Sequence, residues 1–183
     1  MTHVPAARKT SQGVAWRVTQ LFRAVAYRHD TEIDLRLHAV LQNEAQWRLL
    51  LRLSAFDRAH HPRVHDTLVA AGCVDPDLLL AAALHDVGKA DDRGRVWLPH
   101  RVLKVLLQAI SPRLLDLVGR RDGGWLGHGL ILARHHPQLG AQLADAAGAS
   151  ERCVELIARH EERLPVDNPQ LRVLIQADAG AIA

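Results

Sequence analysis

The sequence predicts an all-α fold in a single helical domain, and three observations predict it. Hydrophobic residues make up 48% of the 183 positions while aromatic residues make up only 4%, so the apolar share rests on Ala, Leu and Val. Ala and Leu are strong helix formers. Apolar positions recur at intervals of three and four along most of the chain, which is the helical period. No stretch alternates apolar and polar residues as a half-buried strand does, and no repeat or low-complexity segment interrupts the pattern. At this length one well-buried domain is expected.

Residues 1–13 show no pattern, and Val14, Val18, Leu21, Phe22 and Val25 then mark a helix reaching about Arg28. Asp30-Thr31-Glu32 starts a second helix, continued by Ile33 to Gln42, and Ala45 to Leu53 forms a third. Residues 1–56 read as an N-terminal helical layer on a domain spanning 57–183, the two packed as one globular unit. Asp57 is placed to cap a helix that runs to Ala71 and stops at Gly72. Asp75 and Pro76 then supply an N-cap and a first-turn proline. The helix they open, DLLLAAALHDV, is apolar nearly all round, which marks it as central and buried, and it ends at Gly88.

After a polar turn, Pro99 opens a helix to Ile110 and Pro112 a short one to Val118. RRDGGWLGHG (Arg120–Gly129) reads as a glycine-rich loop with Trp125 buried in its turn, in preference to a platform on which a base stacks. A helix leads from it to His135, and Pro137 starts another that Gly148 closes. Ser150 caps the next, continuing to Arg163, and Asn168-Pro169 begins the last, which ends near Gly180.

Charge and cysteine usage exclude several classes. The net charge of +3 is mild and the arginines are scattered rather than gathered into a stripe, which argues against a nucleic-acid binder. Cys73 and Cys153 have neither metal-type spacing nor the number a disulfide framework needs. No apolar run approaches the about 18–20 residues of a membrane span, and MTHVPAARKTSQG lacks the apolar core of a signal peptide. A cytoplasmic protein with no membrane partner is the expectation. The twelve histidines are the outlying number, since imidazole is the commonest metal ligand.

His85 and Asp86 end a helix that is otherwise wholly apolar. Burying an imidazole and a carboxylate side by side costs several kcal/mol without compensation, and a metal ion supplies that compensation. His160 shares a helical face with Cys153, Leu156 and Ile157, and Asp178 shares one with Leu171, Leu174 and Ile175. His60 lies on the stripe of Val64, Thr67, Leu68 and Ala71, and His136 stands at a helix start before Pro137. His61 and His65 lie within a turn of His60, and His135 precedes His136, so these neighbours remain alternative ligands.

The order H…HD…H…H…D resembles the HD superfamily of metal-dependent phosphohydrolases. The local contexts are similar too: HHPRV, AAALHDVGK, HPQLGA, LIARHEE and IQADAG, spread from Asp57 to Ala179. The resemblance implies an HD-domain-like helical bundle. It implies that His60, His85, Asp86 and Asp178 bind one metal, and that His136 and His160 bind a second, with Asp86 bridging. It favours His60 because the family's histidine stands four residues before a Val, here Val64, and His136 because it stands four before the Gly of LGA, here Gly140.

One or two divalent transition metals (Mn, Fe, Zn, Co or Ni) suit this mixture of imidazole and carboxylate. Two such ions sharing a water lower its pKa from about 15.7 towards about 7. The implied reaction is hydrolysis of a phosphorylated small molecule, a nucleotide or related phosphoester, with Asp86 and Lys89 as catalytic residues. Lys89, Arg93 and Arg95 would face the anionic substrate, with Arg101 and Lys104 beyond them. His100 and His128 read as structural.

The sequence departs from the subfamilies that cleave cyclic dinucleotides, which carry a second His where Glu161 stands and a GYP after it. Glu161, able to ligate a metal, is a further candidate. The pattern is most similar to small bacterial HD hydrolases, such as those that cleave diadenosine tetraphosphate. A catalytically silent module that senses metal and nucleotide is the alternative, and a homodimer is compatible with either.

Overall fold

A computed structural model describes residues 31–111 and 124–181 of the chain. Helices α1 (Thr31–Val40), α2 (Glu44–Arg52), α3 (Ala55–Arg58), α4 (His60–Ala70) and α5 (Pro76–Leu84) come first. A 3-10 turn at Val87–Lys89 leads to a two-stranded hairpin, β1 (Ala90–Asp91) and β2 (Gly94–Arg95). Helices α6 (Leu98–Ile110), α7 (Gly124–Ala146), α8 (Glu151–Arg159) and α9 (Pro169–Ala181) follow. The all-α expectation holds; the helix expected from Val14 to Arg28 and the one from Pro112 to Val118 lie outside the described residues.

Several boundaries follow from caps that the sequence displays. Asp75 accepts from the Leu78 backbone N–H and Pro76 occupies the first turn of α5. Ser150 accepts from the Cys153 N–H to open α8, and Gly72 and Gly148 take φ of 82° and 79° just beyond α4 and α7. Other boundaries differ from expectation. Asp57 is not an N-cap: Ser54 caps the short α3, Asp57 lies inside it, and α4 starts afresh at His60. The α8 helix ends at Arg159 rather than reaching Arg163.

The segment read as a glycine-rich loop is helical from Gly124 onward, and α7 passes through Pro137 without a break. Trp125 is therefore on a helix and 59% exposed, not buried in a turn. The hairpin was invisible to periodicity because each strand has two residues. It forms because the Asp91 carboxylate accepts from the Arg93 and Gly94 N–H groups and so sets the turn.

The main core is a hydrophobic cluster that runs from Leu37 to Ala177, with two small satellites around Leu132 and Leu130. Leu37, Leu49, Leu50 and Leu53 belong to it, so residues 31–56 share a core with the rest. At its centre α5 buries Leu78, Leu80, Ala81, Ala82, Ala83 and Leu84, and the alanines let α4 and α8 approach closely. Helix α9 lies on α4, while α7 crosses α8 and the 3-10 turn. The end of α5 and the 3-10 turn after it thus lie between them against α4, α7, α8 and α9. No helix of the described residues is long and apolar enough to cross a membrane.

Because the cap bond holds the Asp75 carboxyl below its ordinary value of 3.8, its stabilisation is complete above that value and is lost as pH falls through the folded one. Asp75→Ala should therefore lower the unfolding free energy by about 1 kcal/mol at neutral pH. The gap from wild type should narrow near pH 3, which urea denaturation at the two pH values checks.

Candidate metal centre

Three imidazoles reach the centre of the molecule by one local device. His85 and His160 are the C-cap residues of α5 and α8, where the final carbonyls have no intrahelical donor. The Nδ1–H of His85 donates to the Ala82 carbonyl at 3.0 Å, and that of His160 to the Ile157 carbonyl at 2.7 Å. His136 does the same from mid-helix, donating Nδ1–H to the Ala133 carbonyl at 3.2 Å. Each bond spans three residues and makes Nε2, turned inward, the lone-pair nitrogen of the neutral ring.

All three Nε2 atoms converge on the Asp86 carboxylate, which is 4% exposed. His136 lies 3.2 Å and His160 3.7 Å from Oδ1, and His85 3.5 Å from Oδ2. Asp86 thereby belongs to two potential metal-holding groups, His60–His85–Asp86 and Asp86–His136–His160, each with its ligand atoms within 4.8 Å of one another. Asp178 of α9 joins the first group: its Oδ1 is 2.6 Å from His60 Nε2 and 3.5 Å from His85 Nε2.

The electrostatics of the cluster call for positive charge. Burial by itself would raise the Asp86 carboxyl, but the Lys89 ammonium and His85 hold it well below the carboxylate range. Burial would likewise raise Asp178, and the hydrogen bond from His60 and the positive field of His85 hold it down. Burial opposes charge on His85, yet the two carboxylates outweigh it and lift that imidazole to about 10. A field that stabilises an imidazolium so strongly also stabilises a cation coordinated in place of the proton. The Nε2 atoms of His85 and His136 are buried without a hydrogen-bond partner, which fits a donor set for a transition metal.

The turn that presents Asp86 is held by close backbone contact. A Cβ on Gly88 would stand 2.1 Å from the His136 carbonyl oxygen and 2.5 Å from the Gly140 nitrogen, so only glycine lets the turn rest on α7. The sequence marks Gly88 only as a helix stop and Gly140 only as part of LGA. Paired glycines beside ligands were the available signal.

All six expected ligands come together; of the alternatives, His61 stays beside them, whereas His65 and His135 join neither group. His61 is fully buried with both ring nitrogens unpartnered, and its ring packs 4.9 Å from that of His85. Burial pushes the His61 imidazole far down, as suits a neutral packing residue. His65 lies beside Asp66, and His135 is exposed. His136 is in the middle of α7 rather than at a helix start. His100 accepts the Trp97 N–H at 2.8 Å at the start of α6, and His128 ties Asp91 to α7 at 3.0 Å; both are structural in this sense.

Among the basic residues, Lys89 pairs with Asp86 directly. Arg95 donates to the Leu53 carbonyl and lies over the Trp97 ring, while Arg93 is exposed at the hairpin turn. The other cations whose fields reach Lys89 or Asp86 are Arg101, paired with Asp57, and Lys104. Glu161 stands 3.6 Å from His136 Nε2 and 3.6 Å from Lys104.

Compared with protein-family models, with curated proteins and with solved structures, the chain matches none of them.

Two outcomes follow from this geometry. Gly88→Ala should lose about 2–3 kcal/mol of stability, because two backbones have to part, and should weaken metal uptake; thermal unfolding and elemental analysis read the two effects. In the same uptake measurement after dialysis against Mn, His60→Ala should lose one equivalent. His61→Leu should retain the wild-type content, and equal losses in the two variants would make His61 a ligand as well.

Proposed function

We propose that this chain is a metal-dependent phosphohydrolase of the HD superfamily, acting on a nucleotide or related phosphoester. The observation that carries the reading is the sharing of Asp86 between two buried ligand groups, with the imidazole nitrogens aimed at its carboxylate. In this reading His60, His85, Asp86 and Asp178 hold one divalent ion, and Asp86, His136 and His160 hold a second. Mn, Fe, Zn, Co and Ni all suit the donor set. When bound, such ions supply a water of lowered pKa and neutralise charge on the phosphoryl group.

The chain's own residues perform the remaining tasks. The Nδ1 bonds to Ala82, Ala133 and Ile157 fix the imidazoles before any ligand arrives, so little reorganisation is needed. The Lys89 side chain is only 22% exposed, and its ammonium sits on Asp86 Oδ2, from which it can turn towards a phosphoryl oxygen. Arg101 and Lys104 stand near it and add to a cationic side that attracts anions. Arg93 and Arg95 of the hairpin are the further cations that this reading gives to the anionic substrate. A cytoplasmic location is part of the same reading, and a homodimer is compatible with it.

The test is phosphate release by Mn- or Fe-loaded protein from nucleoside mono-, di- and polyphosphates and cyclic dinucleotides. Asp86→Ala should lower the rate by more than about 100-fold, and hydrolysis unchanged by that substitution would overturn the proposal. Saturable nucleotide binding with no product across the panel would replace it with the silent sensing module.

A further inference from the structure

An α-helical N–H at position 137 would bond the Ala133 carbonyl, four residues earlier. Residue 137 is proline, so that donor is missing in the interior of α7. The Ala133 carbonyl is nevertheless fully used. Its two lone pairs receive Nδ1–H of His136 at 3.2 Å and the Nζ of Lys104 at 2.7 Å, from the neighbouring helix α6. His85 and His160 draw on carbonyls that a helix end releases; His136 draws on one that a proline releases, and only there does a second helix supply a donor. The Lys104 head also faces Glu161, itself 3.6 Å from His136 Nε2.

We propose that Lys104 is a positioning residue for His136: with Pro137 it fixes the carbonyl that orients this imidazole, and so sets the metal affinity of the Asp86–His136–His160 group. The inference rests on the metal-binding reading above and concerns one of its two groups. Without Lys104, the 133–137 segment of α7 has neither its backbone bond nor its cross-link to α6, and the Ala133 carbonyl that orients His136 is held by the imidazole alone. Lone-pair counting makes the mechanism specific. Lys104→Met leaves one donor for two lone pairs. Pro137→Ala alone offers three donors for two. The double variant restores two, the regained backbone N–H at position 137 and the His136 Nδ1–H.

The test is this double-mutant cycle on the full chain, read first by Co(II) or Mn titration with elemental analysis. Lys104→Met should weaken uptake of one equivalent by at least about tenfold and leave the other unchanged, and adding Pro137→Ala should recover most of the loss. The second reading is made in metal-free protein, as the imidazole nitrogen NMR signals of His136. The Nδ1–H form should be populated in wild type, reduced in Lys104→Met and regained in the double variant. Wild-type uptake by Lys104→Met, or equal impairment of the single and double variants, would overturn the proposal. If wild type takes up no transition metal, the metal-binding reading fails by itself. The NMR cycle then decides whether Lys104 positions His136, and a His136 signal unchanged by Lys104→Met would overturn that role.

Discussion

A carboxylate almost wholly removed from water, that of Asp86, is the constraint around which the molecule is arranged. An isolated buried carboxylate is costly, and here it is met by an ammonium, Lys89, while the lone-pair Nε2 edges of three imidazoles from three helices face it and leave room for a cation to complete the balance. Those helices could not all end or pass at this point unless α5 were narrow enough to let α4 and α8 approach, which is the role of its alanine run. Core packing and polar geometry are therefore one problem: the apolar face of α5 decides where the carboxylate stands, and the carboxylate decides what must face it.

The orientation of the imidazoles comes from an economy in backbone hydrogen bonding. Helix ends and prolines release carbonyls that must find donors. At Ala82, Ile157 and Ala133 the donor is the Nδ1–H of a histidine three residues later. One bond satisfies a buried carbonyl, fixes a tautomer and aims a lone pair. The close seat of Gly88 on α7 then brings the α5 and α7 members of this set within reach of one another. A rigid backbone contact, rather than a flexible loop, determines their spacing.

Much of the cluster was legible because its imidazoles and carboxylates stand at the ends of apolar stripes. His160 after Leu156 and Ile157, and Asp178 after Leu171 and Leu174, share inward faces that helical period alone reveals. Helix starts at Asp75 and Ser150 were legible because a cap is a local bond between near neighbours. Pro137 misled for the same local reason: a proline most often starts a helix, and nothing in the neighbouring residues announces that Lys104, 33 positions earlier, will take up the carbonyl it releases. Trp125 misled because a run of glycines reads as a loop, whereas Gly129 is small to admit the His100 ring.

Periodicity, and caps that act within one turn, were enough to set the helical class, the central place of α5 and the group of side chains able to meet at Asp86. The choice between His60 and His61, adjacent on one helix, needed the packed molecule: one ring meets Asp178, 118 residues away, and the other packs on His85 with no polar partner. So did the choice of cations beside the carboxylate, where Lys89, Arg101 and Lys104 stand in preference to Arg93 and Arg95. The difference is one of range. Backbone preference and capping act over a few residues, whereas the direction of a side chain at a helix crossing depends on what another helix brings to meet it.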